Sequence, residues 1–157
     1  MKFKKVLIPL DGSPAAEVAL AHLPAEVEEV YLLQVLEHHL GASNGVAADL
    51  GLLLTQPARD RTELEHAEAY LEGLAQTMPG KAATFIRHGD PAQEIVKAAE
   101  ELGVQLIALA TNGKTCPARW LVGRVARKVL RRASCPVLVS PVPKDASVRS
   151  PAGSRES

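Results

Sequence analysis

The stretch from Val104 to Val125 carries the residues of this chain best suited to holding an anion. Leu106 to Ala110 is a continuous apolar run of the length expected for a strand buried on both faces. It breaks into Thr111, Asn112 and Gly113, which favour a tight turn, and Lys114 and Thr115 follow. A second glycine, Gly123, stands at the head of a basic helical pattern that begins with Arg124 and Val125. A strand that ends in a polar glycine loop and leads into a helix start offers loop N–H groups and the positive end of a helix dipole to one ligand. That chemistry suits phosphate. The same kind of polar turn, Asp11-Gly12-Ser13, follows the apolar run Val6 to Leu10.

Other chemistries fit the residues less well. Gly113-Lys114-Thr115 resembles the end of a Walker loop, but the glycine required five residues earlier is Ala108, inside the apolar run. Pro117 also interrupts the helix that should follow. Arg124, Arg127, Lys128, Arg131 and Arg132 make a basic stripe, and most such stripes are solvated helix faces rather than nucleic-acid surfaces. His38-His39 has no metal-ligand spacing, because adjacent side chains on a strand point apart. Cys116 and Cys135 each precede a proline and read as inert thiols. No Ser/His/Asp grouping or acid/base carboxylate pair stands out.

Eighteen basic and eighteen acidic side chains cancel to a formal net charge of +0, which argues against nucleic acid or an anionic membrane surface as partner. No apolar run approaches the length of a membrane span. Met1 to Lys5 is charged like the start of a signal peptide, but Asp11-Gly12 cuts the following apolar stretch short. These features predict a single domain in the reducing cytoplasm. With aromatic residues at only 3%, its core must be built from Leu, Val, Ile and Ala.

Those turns need elements to hold them. Lys4 to Leu10 reads as a first strand, and Ser13 and Pro14 suit the N-cap and first position of a helix that Pro24 stops. Val30 to Leu36 is a second buried strand. Residues 37–58, with three glycines and Pro57, read as a long, partly mobile loop with at most a helical turn. From Asp60, Leu64, Ala67, Leu71, Leu74 and Met78 repeat at helical spacing opposite Glu63, Glu65, Glu68 and Glu72, until Pro79-Gly80. Ala82 to Arg87 is a more polar strand, suited to a sheet edge. Asp90, Pro91 and Gln93 open a third helix that Gly103 closes, with Ile95, Ala98, Ala99 and Leu102 inward. After the Gln105 to Ala110 strand, a last helix from Leu121 to Ala133 turns Val122, Val125, Val129 and Leu130 inward. Val137 to Val142 is the fifth strand. Strands alternating with helices imply right-handed crossovers and a parallel sheet covered on both faces. Ligands in such folds bind at the carboxyl ends of strands. The two polar turns share one crevice if the first and fourth strands are neighbours.

Taken together, Val6-Leu7-Ile8-Pro9-Leu10-Asp11-Gly12-Ser13, Gly89-Asp90-Pro91, the glycine stretch and Ala133-Ser134-Cys135-Pro136-Val137-Leu138-Val139 resemble the universal stress protein family of the UspA type over about Lys4 to Pro141. The resemblance implies a three-layer α/β/α domain with a five-stranded parallel sheet of order 3-2-1-4-5, like the adenine-nucleotide α-hydrolases. It implies a homodimer through the last strand. Family members that bind ATP resemble Gly-x-x-Gly, nine residues, then Gly and a hydroxyl residue. Laid on this chain, those positions are Ala110, Gly113, Gly123 and Arg124. The spacing is intact, but two of the four residues depart. A methyl at Ala110 hinders close backbone approach, and Arg124 replaces a hydroxyl with a charge. The resemblance further assigns Asp11 to the adenine or ribose and the Val35 backbone to the base. The nucleotide site then comprises Pro9, Asp11, Val35, Ala110, Gly113, Lys114, Gly123, Arg124 and Val125.

Three functions are compatible with this reading. One is a regulatory stress-response protein that binds ATP, accompanied by Mg²⁺, or a related nucleotide. Another is a nucleotide-independent dimeric interaction module, and the third a slow ATP hydrolase. Residues 1–142 form the domain, and 143–157, with almost no large apolar residue, read as a disordered tail. Ordering its backbone would cost about 1–2 kcal/mol per residue with little burial in return. Deleting residues 144–157 is expected to leave the melting temperature within about two degrees, as read by calorimetry or circular dichroism; a drop of roughly ten degrees would mean that the tail docks on the domain.

Overall fold

The computed structural model describes residues 2–37, 46–111 and 122–143. Five strands, β1 (Lys5–Leu10), β2 (Glu29–Leu36), β3 (Lys81–His88), β4 (Leu106–Ala110) and β5 (Val137–Ser140), form one sheet in the order β3-β2-β1-β4-β5. Every pairing is parallel. The four helices are α1 (Val18–Ala21), α2 (Val46–Thr77), α3 (Pro91–Leu102) and α4 (Arg124–Arg132). The chain winds outward from β1 through β2 to β3, then crosses back to add β4 and β5 on the other side.

Successive strand residues feed opposite layers, as the period of two requires. Val6, Ile8, Leu32, Leu106 and Ala108 join Ala19 of α1 and Leu71 of α2 in one core. Leu7, Leu33, Ile107 and Leu109 join Ile95 and Ala98 of α3 and Ala126 and Val129 of α4 in the other. The continuous apolar runs of β1 and β4 follow from this double cover. β3 lies at the edge, and none of its residues is fully buried.

The ends of α3 match their sequence signals. The Asp90 carboxylate accepts from the Gln93 amide at 3.0 Å, and Gly103 closes the helix with φ +61°. Asp90 also faces Lys128 at 3.6 Å, which ties α4 to the start of α3. Arg87 of β3 pairs with Glu94 at 3.7 Å and with Glu101, both on α3. The guanidinium hydrogen bond holds the Glu101 carboxyl below its ordinary range.

Four expectations need correction. The segment read as a loop over 37–58 is helical from Val46 onward, and α2 continues through Gly51 and Pro57. Alanines, leucines and Gln56 favour helix strongly enough in sum to carry the chain past two breakers, of which a proline costs about 3 kcal/mol. The remaining loop residues, 38–45 with His38 and His39, lie outside the described residues. Next, the first helix is much shorter than Pro14 to Leu23. Residues 13–23 are held by bonds to the third residue back, such as Ala16 N–H to Ser13 C=O at 3.2 Å and His22 N–H to Ala19 C=O at 3.3 Å. This tighter winding does not propagate. The Ser13 hydroxyl still accepts from the Ala16 amide, at 3.3 Å. Third, α4 begins at Arg124, and Leu130 faces outward, 46% exposed. Ala126 takes the inward place beside Val129, with Val122 and Val125 packed partly against that core. Finally, β5 ends at Ser140 rather than Val142. Pro141 has no N–H for the ladder, and the Val142 amide donates instead to the Thr111 hydroxyl at 3.1 Å.

Among the described residues of α2, Leu71 is the one large side chain with no solvent exposure. Leu71→Ala is therefore expected to cost about 2–5 kcal/mol in urea unfolding, while Glu72→Ala, on the exposed side, should stay within roughly 0.5 kcal/mol.

Candidate functional site

The reversal of strand order falls between β1 and β4, and a crevice of ≈ 480 Å³ opens there at the carboxyl ends of the strands. A volume of this size suits a small-molecule ligand. β1 supplies Pro9 and Leu10 and the turn residue Asp11, β2 supplies Gln34 and Val35, β4 supplies Ala110, and α4 supplies Gly123, Arg124 and Val125. Seven of the nine residues assigned from the sequence thus line one cavity. Gly113 and Lys114 lie outside the described residues, as do Asn112 and Cys116.

Each wall has a local cause. At the end of β1, Gly12 takes φ +81°, a conformation that side chains disfavour. The Asp11 Oδ1 atom accepts from the Ser13 amide at 2.9 Å and from the Ser13 hydroxyl at 2.5 Å. This Asx turn fixes an exposed carboxylate at the mouth of the crevice. Behind it, Tyr70 of α2 donates to Glu17 at 3.0 Å. Burial first, and then the Glu17 carboxylate, push the Tyr70 hydroxyl far above its ordinary value, so it remains a neutral donor. At the end of β4, the Thr111 amide donates to the Ser140 carbonyl at 2.9 Å, which anchors the point where the chain leaves the sheet.

The fourth wall is the start of α4. Gly123 is its N-cap and is buried, with no side-chain cap on the helix. The first turn holds no acidic residue. The amides that begin a helix lack intrahelical partners and carry the positive end of the dipole. Arg124 adds a full positive charge at this end, an arrangement that is unfavourable until an anion arrives. The crevice is therefore polarised. Asp11, Glu37 and Glu63 line it on the β1, β2 and α2 side, and Arg124 lines it at the α4 end. An elongated ligand with hydrogen-bond donors at one end and an anion at the other matches this distribution.

Several lining residues escaped sequence reasoning. Gln34 looked like one polar member of a buried strand, and Glu63 like one of four solvated glutamates on α2. Only the packing of α2 beside the end of β2 brings Glu63 to the crevice. Pro91 and Ile95 arrive because Arg87 and Lys128 fix α3 between β3 and α4. Among the described residues no group of three or more His, Cys, Asp or Glu could hold a metal ion, and no helix is long and apolar enough to cross a membrane. Cys135 is partly buried, and burial raises its thiol above the ordinary value, as an inert thiol requires.

Comparison with known proteins adds an independent finding. The model of the universal stress protein family matches residues 2–141. Universal stress protein MJ0531 of Methanocaldococcus jannaschii is 34% identical over 149 residues, covering 90% of this chain and 84% of that protein. The solved structure of MJ0577 from the same organism superposes with a TM-score of 0.71 at 30% identity, covering 88% of this chain and 96% of the other. An Arabidopsis thaliana protein of the same family, solved with AMP bound, shares the fold with a TM-score of 0.57 at 18% identity, covering 96% and 99% of the two chains.

Proposed function

The chain belongs to the universal stress protein family, and from that premise we propose that it is a regulatory stress-response protein of the reducing cytoplasm that holds ATP or a related adenine nucleotide, without fast turnover. The observation that carries this reading is the polarised crevice. Its α4 end combines a buried glycine N-cap, the first amides of the helix, which have no partner within it, and Arg124, with no acid in the first turn. Its other end offers the Asp11 carboxylate and the backbone at Val35. A triphosphate, with Mg²⁺ accompanying it, belongs at the first end, and the adenosine at the second. The AMP carried by the Arabidopsis relative supports a nucleotide in this fold.

In this arrangement Pro9, Asp11 and Val35 hold the adenosine and Gly123, Arg124 and Val125 face the phosphates, an end to which the resemblance also assigns Gly113 and Lys114. Ala110 sits where a glycine would let the backbone approach more closely. Losing a hydroxyl at position 124 removes about 0.5–1.5 kcal/mol of hydrogen bonding, which is roughly two- to tenfold in affinity. The Arg124 guanidinium returns part of this through a charge-assisted contact with phosphate. Binding is thus weaker than in family members with the full glycine pattern. These same two departures favour the second reading, a nucleotide-independent dimeric interaction module.

Dimerisation is proposed through β5. This strand is the other edge of the sheet and has only β4 as a neighbour. Val137, Leu138 and Val139 are all only half-buried in the single chain. An uncovered edge of this kind pairs readily with another copy.

Calorimetric titration with ATP and Mg²⁺ tests the site. Wild type should bind with measurable heat, and Asp11→Ala should weaken binding about tenfold, since a hydrogen bond to a charged group contributes about 1.5–3 kcal/mol. Arg124→Ser should change affinity by less than about tenfold. A large gain in Arg124→Ser would mean that the arginine obstructs the site, and no heat in wild type at millimolar ATP would favour the interaction module. Analytical ultracentrifugation tests the edge: wild type should sediment as a dimer at micromolar concentration, and Val139→Lys as a monomer.

A further inference from the structure

Lys128 lies one helical turn beyond Arg124, on the same face of α4. Arg124, Val125 and Ala126 line the crevice, and Lys128 follows two residues later. Side chains of a helix lean toward its N-terminus, so the Lys128 stem runs back toward the crevice. Its ammonium meets the Asp90 carboxylate at 3.6 Å. Asp90 is the N-cap of α3, and the next residue, Pro91, is itself part of the crevice wall. The pair thus holds a positive charge just behind the rim.

That charge is loosely committed. Asp90 accepts from the Gln93 amide through Oδ2 at 3.0 Å and meets Lys128 through Oδ1. Both side chains of the ion pair are about half exposed, and such a pair contributes little. Ala126 and Val129 seat α4 in the core, so Lys128 can change partner without moving the helix. The crevice, meanwhile, is short of cations for a long anion. Among the described residues Arg124 is the one basic side chain that lines it. Arg124 and the start of α4 can match one phosphate group, but a chain of three carries negative charge past them. Lys128 is the cation held at the rim, and α4 has no acid to repel the phosphate.

Resting on the nucleotide reading above, we propose that Lys128 sets selectivity for phosphate-chain length: it leaves Asp90 to pair with the terminal phosphate of a bound nucleoside triphosphate, which a monophosphate is too short to offer. Asp90 is the counterweight. Its carboxylate holds the ammonium at the rim and competes with the ligand for it, so the preference for ATP over AMP is set by the pair and not by the lysine alone. The terminal phosphate wins the exchange because the Asp90 carboxylate already shares its charge with the Gln93 amide. Lysine suits the task because its ammonium is a compact charge on a flexible stem.

The test titrates ATP and AMP, each with Mg²⁺, into wild type, Lys128→Met, Lys128→Arg and Asp90→Asn by calorimetry. Wild type should bind ATP more tightly than AMP. Lys128→Met should weaken ATP about tenfold, the loss of one charge-assisted hydrogen bond, and leave AMP within about twofold. Lys128→Arg keeps the charge and should stay within about threefold of wild type for ATP. Asp90→Asn keeps a capping side chain on α3 and releases the ammonium, so ATP should bind about two- to fivefold more tightly. The opposite signs separate this role from a simple tie between helices. A structural pair is lost equally in Lys128→Met and Asp90→Asn, and both would then shift ATP and AMP together. That outcome, or unchanged ATP affinity in Lys128→Met, overturns the proposal and leaves the crevice as a nucleotide site. Wild type that prefers AMP overturns it as well. Wild type that binds neither nucleotide overturns both readings.

Discussion

Val6, Leu7 and Ile8 of β1 have no exposure to solvent, and three consecutive buried residues on a strand can be satisfied only by cover on both faces of the sheet. This constraint shapes the rest of the molecule. Each face must carry helices, so each strand is followed by a crossover rather than a hairpin. With β1 central, the chain extends to β3 on one side and returns to β4 and β5 on the other. The carboxyl ends of β1 and β4 then lie side by side where the strand order reverses, and a crevice opens there. The cavity is the space that double winding leaves open.

That crevice has a distribution of charge that stability alone does not account for. A helix start normally gains from acidic residues, yet α4 opens with Arg124 and has no acid in its first turn. A buried strand normally gains from apolar residues, yet β2 keeps Gln34 with an oxygen that has no partner among the described residues. Both features are locally unfavourable, and both lie on the same wall-to-wall path through the cavity. The ion pairs elsewhere serve position instead. Arg87 with Glu94 and Glu101, and Lys128 with Asp90, hold α3 and α4 against the sheet edge. Their exposed members contribute little stability singly, and α4 is seated chiefly by Ala126 and Val129 in the core it shares with α3.

Much of this architecture was legible in the residues themselves. The apolar runs of β1, β2 and β4 are long enough to require a two-faced sheet, and Asp90-Pro91 with Gly103 bounds α3 because capping chemistry is local. A shared crevice for the ends of the first and fourth strands was conditional on their being neighbours, and the resemblance carried by four segments in the right order named the family. The failures have a common source. The helix at Val46 was hidden because Gly51 and Pro57 weigh heavily in a local reading, whereas helix formation sums over many residues. The outward turn of Leu130 was hidden because helical periodicity gives two adjacent candidates, Val129 and Leu130, and cannot choose between them.

The sequence by itself determined the layer order, the two-faced sheet, the turn at Asp11 and the basic start of α4, because each depends on residues within a few positions of one another. The tertiary structure alone decided that Glu63, fifty-two residues beyond Asp11, reaches the same cavity, and that Gln34 packs against the Gly12 turn. It also ended β5 at Ser140, by giving the Val142 amide to the Thr111 hydroxyl across thirty-one positions. Such contacts depend on how helices settle on a finished sheet, and no local propensity encodes that packing.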